Sequence, residues 1–261
     1  MTRSSIAVAA CATALWSTAP MLGAQGTSSL PVELTRAIAY YATLTSYADA
    51  GTVTVDTGAL VDRARFTTYF RRASRDLFYD FQPLTSVTTQ TGFTIDMRAY
   101  RSVLWMSRGV MQTYQTPTPQ PLQQIGSDAG AQVRALAGLS HPTNGTAIMI
   151  PSLLYPQARL PSAILQIETA TAAGVEPVDG HPCHKITGTA AAYYPSGKRT
   201  GVRPVTVWID ADTQLVRRVL EDTPEGYGDG KATLKITFDY RPQANPALDD
   251  SRFQFTPPAK L

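Results

Sequence analysis

Apolar residues recur at two different periods along this chain, and the change of period marks its organisation. Within residues 31–45, Leu34, Ala37, Ile38, Tyr41 and Leu44 fall at three- and four-residue spacing while Glu33 and Arg36 lie off the stripe. That pattern predicts one amphipathic helix. Pro31 suits its first turn, where a missing N–H is no loss, and the 46–51 stretch is expected to end it. After Gly51 the period falls to two. Residues 52–56 open the series; Phe66, Thr68 and Phe70 then alternate with Arg65, Thr67, Tyr69 and Arg71, and Leu77, Tyr79 and Phe81 alternate with Phe78 and Asp80. Further strands are predicted over 93–97, 103–107 and 110–114. Spacing this short suits an antiparallel meander of hairpins, not βαβ units.

The segment 116–121, TPTPQP, cannot supply regular ladder hydrogen bonds and reads as a surface crossing. Beyond it, 131–139 has helical composition and 146–155 is almost wholly apolar, with Pro151 interrupting it. Two short helices packed on one sheet face are expected there. Strands resume over 163–169, 184–189, 205–210 and 214–221, the last two forming a hairpin around Ala211 and Asp212. The clearest strand is 232–240, where Leu234, Ile236, Phe238 and Tyr240 face one way and Thr233, Lys235, Thr237 and Asp239 the other. The tail places Phe253 and Phe255 on one face before prolines that stop further pairing. The predicted fold is therefore mainly β, of the α+β kind, in one domain.

The first residues read as an address. Arg3 supplies a positive start, residues 6–15 an apolar run, and Gly23-Ala24 a small-residue cleavage point, so 1–24 is expected to be a signal peptide and 25–261 the mature domain. Ten apolar residues are too few for the roughly twenty that span a bilayer, and no later stretch is apolar enough to be a transmembrane segment. A rival reading takes Val8-Ala9-Ala10-Cys11 as a lipidation signal, which would anchor the chain through Cys11. The formal net charge of +3 includes Arg3, and no lysine or arginine run points to nucleic acid. After cleavage Cys183 has no intramolecular partner, so the fold must rest on burial; 16% charged and 9% aromatic residues suit an ordinary core.

The order of these parts resembles the periplasmic lipoprotein-carrier (LolA/LolB-like) superfamily. The residues that carry the resemblance are 72–81 (RASRDLFYDF), similar to a basic residue before a Leu-Phe strand; Val103-Leu104-Trp105-Met106, similar to an apolar-Trp strand; and the closing Phe253-Gln254-Phe255-Thr256-Pro257-Pro258. An uncharacterised branch is closer still, having a similar Asp-Gly-x-Pro-Cys-His stretch (179–184), Val-x-Trp-Ile-Asp hairpin (205–210) and Asn245-Pro246. The resemblance covers nearly all of 25–261. It implies an incomplete, strongly curved antiparallel β-barrel with an N-terminal helix and short lid helices over an apolar groove for acyl chains. Met149, Leu153 and Leu154 would then line the lid, and Phe66, Phe70, Phe93, Trp105 and Ile236 are candidates for the groove wall. Which strand face points inward stays open. The implied partners are acyl chains or lipidated proteins, with an envelope protein partner as the alternative for a sensor on the same fold. Two positions depart from the pattern: Ser74 stands where the carriers place a latching arginine, between Arg72 and Arg75, and Tyr100-Arg101-Ser102 replaces an Asp-Gly-Lys turn. The carriers' latch therefore cannot be carried over to this chain.

Residues 179–184 gather Asp179, His181, Cys183 and His184. A zinc site wants three or four converging ligands, and Pro182 was expected to break regular pairing, so a turn into a strand with a buried free cysteine stands against metal or thiol chemistry. There is no Gly-x-Ser-x-Gly, His-Glu-x-x-His or phosphate loop, and His141 is isolated. No enzyme, cofactor or metal is expected. Arg71, Arg72 and Arg75 read either as solvated edge charges or as a rim for acidic headgroups or a partner's carboxylates. The 148–155 run reads equally as core or as cleft.

Overall fold

The structure is a computed structural model describing residues 30–58, 60–88, 94–107, 110–116, 129–140, 143–156, 162–193, 199–223 and 234–258. The signal segment 1–24, Cys11, Phe93, His141 and most of TPTPQP lie outside the described residues. The amphipathic stripe forms helix α1, Val32–Thr43, with Leu34, Ala37 and Tyr41 buried. It is followed by strands β1 (Ser46–Asp56), β2 (Val61–Arg71), β3 (Asp76–Pro83), the short pair β4 (Val87–Thr88) and β5 (Thr94–Ile95), then β6 (Arg101–Ser107) and β7 (Val110–Thr116). Helices α2 (Ala129–Ser140), α3 (Thr146–Met149) and α4 (Pro151–Leu154) come next. The second meander is β8 (Ile167–Val178), β9 (His181–Tyr193), β10 (Arg199–Asp210), β11 (Val216–Thr223) and β12 (Leu234–Tyr240), with β13 (Gln243–Ala244) pairing back to β1.

The two meanders join at one seam. Strand β1 pairs antiparallel with β12, Gly51 opposite Tyr240 and Val53 opposite Phe238, so the order runs β7-β6-β3-β2-β1-β12-β11-β10-β9-β8. All eleven strands of this sheet, β13 included, are antiparallel to their neighbours, and β7 and β8 are its edges, so it does not close into a barrel. One continuous apolar cluster nevertheless reaches from Met106 and Met111 at one end to Ile167 and Ile186 at the other, with α1 to α4 contributing to it. At about 4.8 Å per strand a flat sheet of this width would leave its ends some 40 Å apart. A few short helices bridge them only because the sheet curls around its inner face. Among the described residues no helix is long and apolar enough to cross a membrane.

The outer face carries two smaller clusters. Phe78, Val103, Trp105 and Tyr114 are covered by Phe253, with Leu248 and Phe255 packed beside them; Val178, Cys183 and Trp208 form the other. The closing Phe-x-Phe therefore works as an external clamp: Phe255 meets Trp105 at 5.1 Å and Tyr114 at 5.3 Å between ring centroids, and Arg71 lies over the Phe253 ring.

Several expected boundaries move, each for a physical reason. The 46–51 stretch does not merely end α1; it is the first half of β1, with Tyr47 and Asp49 facing the core. The strand expected over 93–97 shrinks to the two residues of β5, and Met97–Ala99 form a 3-10 turn capped by Asp96. The strand expected over 163–169 starts only at Ile167 and runs to Val178, since 163–166 form a turn. As an edge strand β8 is exposed over most of its length, and two-sided exposure erases the alternation that reveals a strand. Pro182 does not break pairing: it lies within β9 opposite Pro177, a pair in which neither residue has an N–H to exchange. Asp179 and Gly180, both at positive φ, make the tight hairpin turn before it.

Candidate functional site

The lid is set on the inner face by its sequence. Pro151 ends α3 and begins α4 at a position where its missing N–H leaves no bond unmade, so the apolar run folds as two single turns. Every residue of both turns is buried, with Met149 and Leu153 1% exposed and Leu154 fully covered. Thr143 precedes the lid, donating to Leu139 O at 2.7 Å and accepting from the Ala147 N–H. Two buried polar contacts tie the lid down. The Tyr79 hydroxyl on β3 hydrogen-bonds the Thr146 hydroxyl of α3, and Ser152 of α4 bonds Ser162 at 2.7 Å. At the lid's far end Tyr155 stacks edge-on against Phe70 of β2, 5.1 Å between centroids.

Arg72, in the turn joining β2 to β3, completes the closure. Its guanidinium donates to Leu44 O at 2.7 Å, to Tyr41 O at 3.0 Å and to Leu154 O at 3.2 Å, while stacking over Phe70. The acceptors are carbonyls at the C-terminal ends of α1 and α4, Tyr41 O also receiving the Leu44 N–H, and the negative end of α1's dipole favours the cation. One side chain thus pins the helix and the lid to the same strand turn. Arg72, the basic residue before the Leu-Phe strand, makes these contacts, whereas Ser74, which stands where the carriers place their arginine, makes none of them. The fork of the guanidinium makes them possible, since a five-donor planar group can serve three carbonyls at once. Ser74 instead serves an outer network in which it and Arg71 both bond Asp76 Oδ2.

Of the expected groove residues, the structure brings together Phe66, Phe70, Met149, Leu153, Leu154 and Ile236 in and against the inner cluster. Trp105 is not with them: it points to the outer face beneath Phe255, and its neighbours Leu104 and Met106 line the inner face instead. A strand that is buried on both faces gives no alternation from which the inner set could be chosen. Phe93 lies outside the described residues.

Sequence reading also passed over a buried polar group. Asp49, 3% exposed, faces inward beside Tyr47, Tyr41 and Tyr240. Its Oδ1 accepts from the Arg241 N–H at 3.0 Å, but its Oδ2 and the hydroxyls of Tyr47 and Tyr240 have no hydrogen-bond partner. Each such orphan costs on the order of 1–3 kcal/mol. Burial pushes the Asp49 carboxyl up to about 7, against the lowering effects of the Arg241 N–H, Tyr47 and Arg217. A folded pKa above the unfolded one means that the folded state holds the proton more tightly. Stability should therefore fall by up to about 1.4 kcal/mol per pH unit between roughly pH 4 and pH 7. Asp49→Asn should remove that slope. Urea unfolding at about pH 5 and pH 8 tests it, and parallel losses in the two proteins would contradict it.

The 179–184 segment yields less. Cys183 is buried under Trp208, its Sγ directed to His181 O, and burial followed by the nearby Asp210 pushes its thiol up, away from a reactive thiolate. Asp210 is engaged by Arg217 at 2.8 Å, with His181 Nδ1 3.4 Å away. Among the described residues no three His, Cys, Asp or Glu side chains converge as metal ligands.

Residues 139–238 match the LppX_LprAFG lipoprotein family, a stretch that begins at the end of α2 and takes in the lid and the whole second meander to β12. No curated protein matches the chain. Among solved structures, the lipoprotein LppX of Mycobacterium tuberculosis is similar at 15% identity and a TM-score of 0.41, over 83% of this chain and 95% of that one. LprF of Mycobacterium bovis is similar at 14% identity and 0.40, over 79% and 90%. MucB in complex with MucA, from Pseudomonas aeruginosa, is similar at 12% identity and 0.41, over 86% of this chain and 60% of that one.

Proposed function

We propose that this chain, whose residues 139–238 match the LppX_LprAFG lipoprotein family, is a LolA/LolB-like periplasmic carrier that shelters acyl chains between the curled sheet and the α3–α4 lid. The domain would be 25–261, exported by cleavage of 1–24. The observation that carries this reading is the Arg72 latch, which holds α1 and the lid shut through three main-chain carbonyls and one cation. Three such bonds form or break together, so they favour two states over a gradual loosening. In the closed state Met149, Leu153 and Leu154 occupy the groove themselves. Opening exposes them, and a hydrocarbon chain restores burial at about 0.8 kcal/mol per methylene. Loading is then an exchange of one apolar occupant for another, which keeps the empty protein soluble and the full one able to release. The partners are acyl chains or lipidated proteins, together with whatever envelope protein donates or receives them. The role requires no reaction, cofactor or metal.

The test uses protein purified from the periplasmic fraction and phosphatidylglycerol vesicles carrying fluorescent palmitate. Saturable transfer of the probe to the protein fraction is the expected result. Probe that stays with the vesicles at every protein concentration would end the proposal.

A further inference from the structure

Where β1 meets β12 the inner face carries a buried polar group, set beside the Arg203–Glu221 ion pair of β10 and β11. There Asp49 and Tyr47 project from β1, Tyr240 from β12 and Tyr41 from α1, all of them at most 3% exposed. Tyr41 is satisfied, its hydroxyl accepting from the Val216 N–H at 3.1 Å. Asp49 Oδ2 and the Tyr240 hydroxyl are left without a partner, and the Tyr47 hydroxyl leans toward Asp49 and Tyr41 without a well-formed hydrogen bond to either. Burying a carboxylate and a hydroxyl without partners in an apolar interior serves no packing purpose, and hydrophobic side chains would fill the space without penalty.

A recess of about 710 Å³ opens on the surface beside the elements that carry this group, whose own side chains do not line it. Its walls include Tyr40, Leu215, Pro242 and Ala244. These are, in turn, the chain neighbours of Tyr41, Val216 and Arg241 and the cross-strand partner of Tyr47. Asp212 is the one charged residue among its lining. The nearest cation inside, Arg217, is engaged by Asp210. An anionic head would therefore meet two carboxylates, and a neutral hydroxyl could fill the hydrogen-bonding positions but would leave the buried carboxylate without a counter-charge. An ammonium group carries three N–H donors and no acceptor.

We propose that Asp49, Tyr47 and Tyr240 form a polar subsite of the groove that receives the amine head of a cationic amphiphile, its hydrocarbon lying along the apolar wall. The inference rests on the acyl-chain reading and adds the head-group chemistry to it. The burial that raises the Asp49 carboxyl supports it, because a bound cation would return that group to its ionised form.

Two probes of equal chain length separate the two ideas: dodecylamine and methyl laurate, each titrated calorimetrically below its aggregation limit. The full protein should bind the amine roughly tenfold or more tightly than the ester. Asp49→Asn should abolish that preference while leaving the ester's affinity within about twofold, and Tyr240→Phe and Tyr47→Phe should each reduce it in part. If Asp49→Asn fails to fold, the two tyrosine variants and the wild-type comparison still decide. Equal affinities for the two probes, a preference that survives all three substitutions, or a crystal structure of the amine complex with only ordered water between Asp49 and Tyr240 would overturn the subsite and leave the groove standing. Binding of neither probe would overturn the acyl-chain reading and the subsite with it.

Discussion

Arg72→Ala should lower the thermal midpoint by about 5–10 °C and speed proteolysis between α4 and the segment that follows it. Its guanidinium makes three charged hydrogen bonds to carbonyls at the ends of α1 and α4, and truncation removes all three, leaving Tyr41 O only the Leu44 N–H. Charged bonds of this kind are worth about 1.5–3 kcal/mol singly, and they share one cation, so a total near 3 kcal/mol is expected. Arg72→Lys should recover only part, because a compact ammonium cannot reach three carbonyls in one plane. The same change should raise affinity for an acyl probe. An open lid lacks the three bonds in any case, so their loss penalises the closed empty state alone and enlarges the binding-competent fraction, by about tenfold for each 1.4 kcal/mol. Midpoint, protease sensitivity and probe affinity should move together; a variant with unchanged midpoint and unchanged lid cleavage would show that Arg72 is no latch.

Why that latch escaped the sequence is instructive. Its acceptors are main-chain carbonyls of Tyr41, Leu44 and Leu154, which any residue type supplies, so no pattern of side chains announces them. The sequence places a basic residue at Arg72 before the Leu-Phe strand, and only the fold shows which carbonyls it reaches. The same limit hid the inner face of β6, where Leu104, Trp105 and Met106 are all buried and only the Phe253–Phe255 clamp shows which side Trp105 takes. What was legible had strong one-sided patterning: α1, the Phe66–Phe70 stretch of β2, and β12, whose Phe238 and Tyr240 are buried while Lys235 is exposed. The apolar 146–155 run was legible as buried, with Pro151 as its break. Edge strand β8 was mostly not, because solvent on both faces removes the signal that periodicity measures. Asp49 was missed for the opposite reason. Polar at a core-facing position of β1, it breaks the pattern, and such breaks are where local rules yield to something else the fold must hold.

Gly51→Ala should destabilise the protein by about 3 kcal/mol or more, a midpoint loss near 10 °C, although it adds a single methyl group to a strand. Gly51 is in the seam strand, opposite Phe66 on one side and Tyr240 on the other. A Cβ there would sit 2.3 Å from Phe66 Cζ and 2.5 Å from Asp239 O. The ring can tilt; the carbonyl belongs to β12 and cannot move without opening the seam. Phe66 also meets Tyr240 edge-on at 5.4 Å, so tilting it disturbs the groove wall next to Asp49. Pairing the change with Phe66→Leu divides the cost. If the ring is the obstacle the double variant should recover most of the loss, whereas a loss that persists assigns it to the β12 backbone. The second outcome is expected, because close approach of β1 and β12 is what lets a sheet of eleven strands curl tightly enough for α1 and two single-turn helices to cover it. Gly138→Ala is the control: at an exposed position of α2, with nothing within 4 Å of the added methyl, it should stabilise by about 0.5–1 kcal/mol. Equal, small effects at the two glycines would mean that the seam is looser than its register implies, and that the curvature on which the groove depends comes from elsewhere in the sheet.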